Sequence, residues 1–176
     1  MEFTIVFLLK GEPKKINEKL IKEVGKRFGE SFILESPFPS HITLKSRFYI
    51  ENIKTIEKIL GKFVKSHKKA KIKIDGFSHF KGFVTFLNPL FSKKAFKIQK
   101  DLINELESVG IKPSKIDKKF NPHASITCSK TKKNFGNIWA YLKTLDKPLF
   151  DLDLDNITIF KRPKKYWKLH KEFKLK

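Results

Sequence analysis

Cysteine is almost absent from this chain. Cys128 is the single one in 176 residues, so an internal disulfide is excluded and no cysteine cluster can hold a metal. A reducing, cytoplasmic setting is the expectation. Arginine is nearly as scarce: Arg27, Arg47 and Arg162 stand against 36 lysines. Long apolar runs are missing too. The run from Phe3 to Leu9 falls far short of the ~20 apolar residues a spanning helix needs. It also lacks the basic flank and small-residue cleavage site of a leader, so no membrane association is expected. The Gly61-Lys62 pair is not a phosphate loop, because Ile56 replaces the first glycine and Phe63 the hydroxyl residue, which excludes P-loop ATP chemistry.

What is abundant is positive charge and aromatic mass. The formal net charge is +21, which concentrates polyanions near the surface and points to RNA or another nucleic acid as partner. The lysine excess keeps a second, purely compositional reading, because specific phosphate and base recognition favours the arginine fork. Eighteen phenylalanines predict an aromatic core. The length suits one domain, expected as a monomer.

Periodicity predicts alternating strands and helices. Strands are expected at 2–9, 41–49, 71–77, 82–88, 122–129, 150–161 and 165–174, from period-two alternation or short apolar runs. Helices are expected at 13–28, 53–66 (Asn52 as N-cap), from Ser92 to Gly110, and at 134–145. The second set follows the first by roughly 80 residues. Some letters repeat as well: His41-Ile42-Thr43-Leu44 answers His123-Ala124-Ser125-Ile126. The expected fold is α+β, a single two-lobed domain over 1–176 with repeats at about 1–78 and 82–176. Each lobe is then a small, mostly antiparallel sheet backed by helices, with a cleft between them.

In a strand, residues i and i+2 face the same way. His41, Thr43, Lys45 and Arg47 then share one face, and His123, Ser125, Thr127 and Ser129 another. Two related lobes facing each other would line one cleft with two imidazoles, several hydroxyls and two cations. Opening a cyclic phosphate needs a base for water and an acid for the departing ribose oxygen. Histidine serves both roles near neutral pH, while hydroxyl and cationic donors hold the nonbridging oxygens.

SHITLK and NPHASIT resemble the paired His-x-Thr/Ser motifs of the two-histidine phosphoesterase superfamily, in its RNA 2′,5′-ligase-like and RNA 2′,3′-cyclic phosphodiesterase branch. The resemblance extends to the duplicated lobes, to Phe80 before the second-half strand and to the closing segment NITIFKRPKKYWKLHKEFKL. It implies His41 and His123 as the catalytic pair, with Thr43 and Ser125 as phosphate-binding hydroxyls. It implies no metal and no cofactor. The reaction implied is opening of an RNA 2′,3′-cyclic phosphate to a 2′-phosphate, with 2′,5′ ligation when a 5′-hydroxyl replaces water. Two departures stand out: Ser125 where threonine is commoner, and Ser40 rather than proline directly before His41.

Several residues keep two readings. Lys45 and Arg47 are substrate cations or solvated strand charges. Phe80, Phe83 and Tyr166 are stacking platforms or packing aromatics. Cys128 is a core residue by parity, and His67, His79 and His170 are expected outside the chemistry. A non-catalytic RNA-end-binding module and a phosphodiesterase for a small cyclic nucleotide or ADP-ribose cyclic phosphate are the alternatives to the leading reading.

Overall fold

A computed structural model describes residues 1–30, 34–35, 38–80 and 82–176, with the side chain of Ser129 outside that description. The apolar run near the N-terminus forms β1 (Glu2–Leu8), buried along its whole length. Burial on both faces is why it reads as a continuous apolar run rather than an alternating one. Helix α1 (Gly11–Arg27) follows, with Lys26 and Arg27 in its last turn, where cations complement the helix dipole. Next come β2 (His41–Tyr49), α2 (Lys54–Ser66) and β3 (Ala70–Phe80). Ile53, not the expected Asn52, is the N-cap of α2, although Asn52 accepts from Lys54 N at 3.0 Å.

The second half runs β4 (Val84–Phe91), α3 (Lys93–Glu107), the one-turn α4 (Lys115–Lys118) and a short β5 (Ala124–Ser125). It closes with α5 (Phe135–Leu142), β6 (Leu149–Leu154), β7 (Asn156–Arg162) and β8 (Lys168–Lys174). Ser92 caps α3 by accepting from Ala95 N. Among the described residues no helix is long and apolar enough to cross a membrane.

The fold is α+β, two four-stranded antiparallel sheets backed by helices. The strand orders are β2-β1-β7-β8 and β5-β4-β3-β6. The halves of the chain do not coincide with the sheets. β3, from the first half, pairs with β4, while β7 and β8 return to β1. Each half thus lends strands to the sheet of the other. One core, including Ile5, Ile42 and Leu60 with Ile72, Leu87 and Leu102, unites both. Isolated lobes would lose sheet partners, so the two are expected to fold together.

Three expectations change. The segment 150–161 is two strands in different sheets, β6 on β3 and β7 on β1. Asn156, at the switch, is buried and exchanges two 3.0 Å hydrogen bonds with the Leu8 backbone, so its amide replaces a ladder pair where β7 begins. The expected strand 122–129 contracts to Ala124–Ser125. Its natural next partner, the Thr85 N–H, is taken by the Thr127 side chain at 2.8 Å, and a 3₁₀ turn at Ser129–Asn134 follows. Thr127 is therefore buried away from solvent, and the Ser129 side chain lies outside the described residues. The third change falls on β2 and is described with the site.

Candidate active site

The two histidine motifs sit on the outer strands β2 and β5, one from each sheet, which touch along the seam between the sheets. His41 pairs across from Leu8 at the start of β2. His123 directly precedes β5, whose Ala124 and Ser125 lie opposite Leu87 and Phe86. Each strand sends its intervening apolar residue, Ile42 or Ala124, into the core. Core packing on one side therefore aims the motif residues toward the seam.

Both rings are held in the same way. His41 Nδ1 donates to Pro39 O at 2.7 Å, and His123 Nδ1 donates to Asn121 O at 2.9 Å. In each case the acceptor is the carbonyl two residues upstream. A proton fixed on Nδ1 leaves Nε2 as the basic nitrogen of the neutral ring. Among the described residues neither Nε2 has a hydrogen-bond partner.

Aromatic rings press on both imidazoles. Phe38 lies 3.9 Å from the His41 ring, and Phe80 meets His123 edge-on at 4.8 Å, with Phe86 at 5.5 Å. Burial pushes His41 down to about 4; the neighbouring His123 charge adds to this, against the opposing bond to Pro39. Burial also lowers His123, opposed by its bond to Asn121.

The cleft is divided rather than single. A cavity of about 620 Å³ takes in His123 and Thr43, with Arg47, Arg162, Tyr166 and Trp167 on its walls. A smaller one of about 190 Å³ takes in His41 and Ser125. Phe38 lines both. Each compartment thus joins the histidine of one motif to the hydroxyl of the other. Among the described residues neither Thr43 Oγ1 nor Ser125 Oγ is engaged in a hydrogen bond, so both remain available as donors.

Lys45 is the correction on β2. It is not at the cleft: its side chain is 1% exposed and forms an ion pair with Asp117 at 2.8 Å. The cause is a pair of register shifts. Opposite β1, residues Phe3, Ile5 and Val6 face Phe48, Lys45 and Thr43, so β2 carries extra residues on either side of Lys45. Each bulge inverts the alternation. Lys45 turns inward, and both Ser46 and Arg47 reach the larger cavity.

Asp117 gathers the surrounding donors. It accepts from Ser46 N at 2.7 Å, Ser46 Oγ at 3.0 Å and Ser114 N at 2.7 Å besides Lys45. Burial pushes its carboxyl up, but these bonds outweigh burial and hold it below the ordinary aspartate range. The network fastens α4 to β2 and presents Ile116, 65% exposed, at the cavity edge.

Other sequence candidates fall into place around this frame. Tyr166 lines the larger cavity, next to Lys165, whose ammonium lies 5.2 Å from its ring. Phe80 reaches the site through His123. His67 and His170 lie elsewhere, against Asp101 at 3.2 Å and Glu57 at 2.8 Å. His79 packs on Phe135 and Trp139. Cys128 borders the smaller cavity, so it is not fully in the core as parity suggested. Among the described residues no group of three or more His, Cys, Asp or Glu is placed to hold a metal ion.

Residues not singled out from the sequence include Phe38, Ser46 and Asn17. Trp167 stacks on Phe38 at 5.6 Å and lies under Arg162 at 5.3 Å. Its place in the hairpin tail next to Tyr166 was a usable signal. Ser46 carried none, because a bulge put it there.

The sequence matches the family model described as the 2'-5' RNA ligase superfamily over residues 21–165. Among solved structures, it superposes on TT0787 of Thermus thermophilus with TM-score 0.68 at 12% identity, over 99% of this chain and 98% of that one. It superposes on E. coli LigT complexed with 3'-AMP with TM-score 0.63 at 14% identity, over 99% and 97%. A structure described as a phosphoesterase gives TM-score 0.63 at 13% identity, over 99% and 97%. At these identities the likeness is one of fold. No curated protein sequence matches.

Proposed function

The chain belongs to the 2'-5' RNA ligase superfamily of two-histidine phosphoesterases, and from that premise we propose that it opens 2′,3′-cyclic phosphate at the end of an RNA strand. The observation that carries this reading is the matched anchoring of His41 and His123. Both rings keep Nδ1 on the backbone carbonyl two residues upstream, and among the described residues neither Nε2 has a hydrogen-bond partner.

The chemistry needs one neutral and one protonated imidazole. Burial pushes His41 down to about 4, which keeps it neutral near pH 7, and we assign it the role of base. Its Nε2 takes a proton from water as the oxygen attacks phosphorus. The P–O3′ bond breaks, and His123 Nε2–H protonates the departing 3′ oxygen. The product carries a 2′-phosphate and a 3′-hydroxyl. A 5′-hydroxyl in place of water would give a 2′,5′ linkage. Thr43 and Ser125 hold the nonbridging oxygens as charge builds there. In the free protein both rings are mostly neutral at pH 7. The bound phosphate's negative charge raises the imidazole pKa and favours the protonated partner.

An RNA end suits the larger cavity better than a small neutral ligand. Arg47, Arg162 and Lys165 supply cations for the strand, and Tyr166, 43% exposed, supplies a stacking face. The net charge of +21 adds a long-range field for a polyanion.

The deciding experiment incubates the protein with RNA bearing a terminal 2′,3′-cyclic phosphate in the presence of EDTA and locates the phosphate in the product. A 2′-phosphate product is expected at an unchanged rate in chelator. His41→Ala and His123→Ala are each expected to reduce turnover by ~10²–10⁴-fold while leaving the fold intact. Full turnover by either variant would refute the reading, as would phosphate-induced NMR shifts confined to one of the two rings.

A further inference from the structure

Asn17 occupies the inward face of α1 at 1% exposure, in line with the buried Pro13, Leu20 and Val24. An amide there is costly unless its polar atoms are met. Its partners lie in both histidine motifs. Ser40 Oγ donates to Asn17 Oδ1 at 2.7 Å, and Asn17 Nδ2 donates to Ala124 O and Ser125 O, each at 3.4 Å. Ser40 immediately precedes His41, and Ala124 and Ser125 immediately follow His123.

The seam has other ties, Gln99 Nε2 to Leu44 O at 3.1 Å and the Asp117 network on Lys45 and Ser46, but these grip β2 at Leu44–Ser46 and bond neither His41 nor β5. β2 is fixed by β1 within one sheet, and β5 by β4 within the other. Among the described residues no strand pairing joins β2 to β5. Each motif is therefore rigid in its own lobe, yet their relative position is not set by a ladder. The side chain needed across such a gap must accept from a hydroxyl on one side and donate twice to carbonyls on the other. A primary amide meets all three demands. Ser40, the departure from proline before the first motif, is what gives the amide oxygen its donor.

We infer that Asn17 is a positioning residue for the histidine pair, a side-chain bridge that sets the separation of the two imidazoles across the seam. The inference rests on the two-histidine reading of the site, but it concerns geometry and is measurable without turnover.

Asn17→Leu removes both arms of the bridge while keeping the number and branching of side-chain heavy atoms. Ser40→Ala removes one arm and decides the matter if the leucine variant does not fold. On cyclic-phosphate-ended RNA, Asn17→Leu is expected to lower kcat by about 10²-fold with KM changed by less than about threefold, the pattern of a misplaced catalytic group. Ser40→Ala should move kcat in the same direction by less.

The second readout is an NMR titration of the imidazole Cε1–H signals. With Asn17 present, His123→Ala is expected to raise the His41 midpoint, because a like charge is removed. In the Asn17→Leu background that rise is expected to be lost, because the rings have drifted apart. If the protein turns over no cyclic phosphate, the titration alone tests the bridge, and the two failures remain distinct. Unchanged kcat together with an intact rise in His41 midpoint, in folded Asn17→Leu and in Ser40→Ala, would overturn the inference, even if melting temperature fell.

Discussion

Deleting either partner of the Lys45–Asp117 pair should have unequal effects, and the inequality follows from the hydrogen-bond count. Asp117→Ala leaves the Lys45 ammonium buried with one remaining acceptor, Ser46 O at 3.3 Å. Ser46 N and Ser114 N lose their acceptor as well, while Ser46 Oγ keeps Ser114 Oγ at 2.8 Å. An unpaired buried charge of this kind costs about 3–5 kcal/mol. For a chain of 176 residues, that corresponds to a fall in Tm of roughly 6–20 °C. Lys45→Met is different. Asp117 keeps its three other donors, and the methionine fills the stem's volume. The loss is then one charge-assisted bond, ~1.5–3 kcal/mol. Urea titration of both variants, with equal m-values checked, measures the difference directly. The order Asp117→Ala worse than Lys45→Met is the expected result, and the reverse order would refute the reasoning. The same pair of variants tests the role of Lys45. If that side chain held substrate, Lys45→Met would lose activity while staying folded; buried against Asp117, it should stay within a few-fold of the parent. The carboxylate's depressed pKa also sets a pH sign. Its contribution is present above its unfolded value of ~3.9 and disappears as pH falls through the lower folded value.

The histidines give a second pH dependence. With His41 at about 4 and His123 below its ordinary value, kcat/KM should form a bell centred on the acid side of neutrality and fall as pH rises toward 8; a rate still climbing at pH 8 would contradict the acid–base assignment. Both rings are partly buried and have lowered pKa values, so they favour the folded state above ~6.5 and progressively lose that contribution as pH falls toward the depressed values, measurable as a drop in Tm over that window. Thr43→Ala and Ser125→Ala should each lower kcat by ~10²–10³-fold if these hydroxyls steady the developing charge, whereas Thr43→Ser should retain most of the rate. Tyr166→Ala should weaken binding of a cyclic-phosphate-ended oligomer by ~1–3 kcal/mol, read by fluorescence anisotropy, if a base stacks there.

Much of the architecture was legible along the chain, for a physical reason. Helix and strand periods are local, so the spacing of Ile56, Leu60 and Phe63 marks α2, and the alternation of Ile72 and Ile74 marks β3. The repeated His-x-hydroxyl motif was legible because the proposed chemistry calls for those groups themselves, not merely apolar bulk. Burial of Ile42 and Ala124 then faces each motif outward from its lobe.

What the sequence alone determined is therefore most of the elements and the pairing of two His-x-hydroxyl motifs, one in each half. Tertiary structure decided where alternation breaks and which surfaces meet. A bulge depends on the partner strand, so nothing within HITLKSRFY shows that Lys45 turns inward while Ser46 and Arg47 both face the cavity. Strand exchange is a choice between two equally apolar partners, so β7 joining β1 could not be read from NITIFKR. The bridge through Asn17 joins positions 23 and 107 residues apart, and its meaning exists only once the two sheets are brought edge to edge.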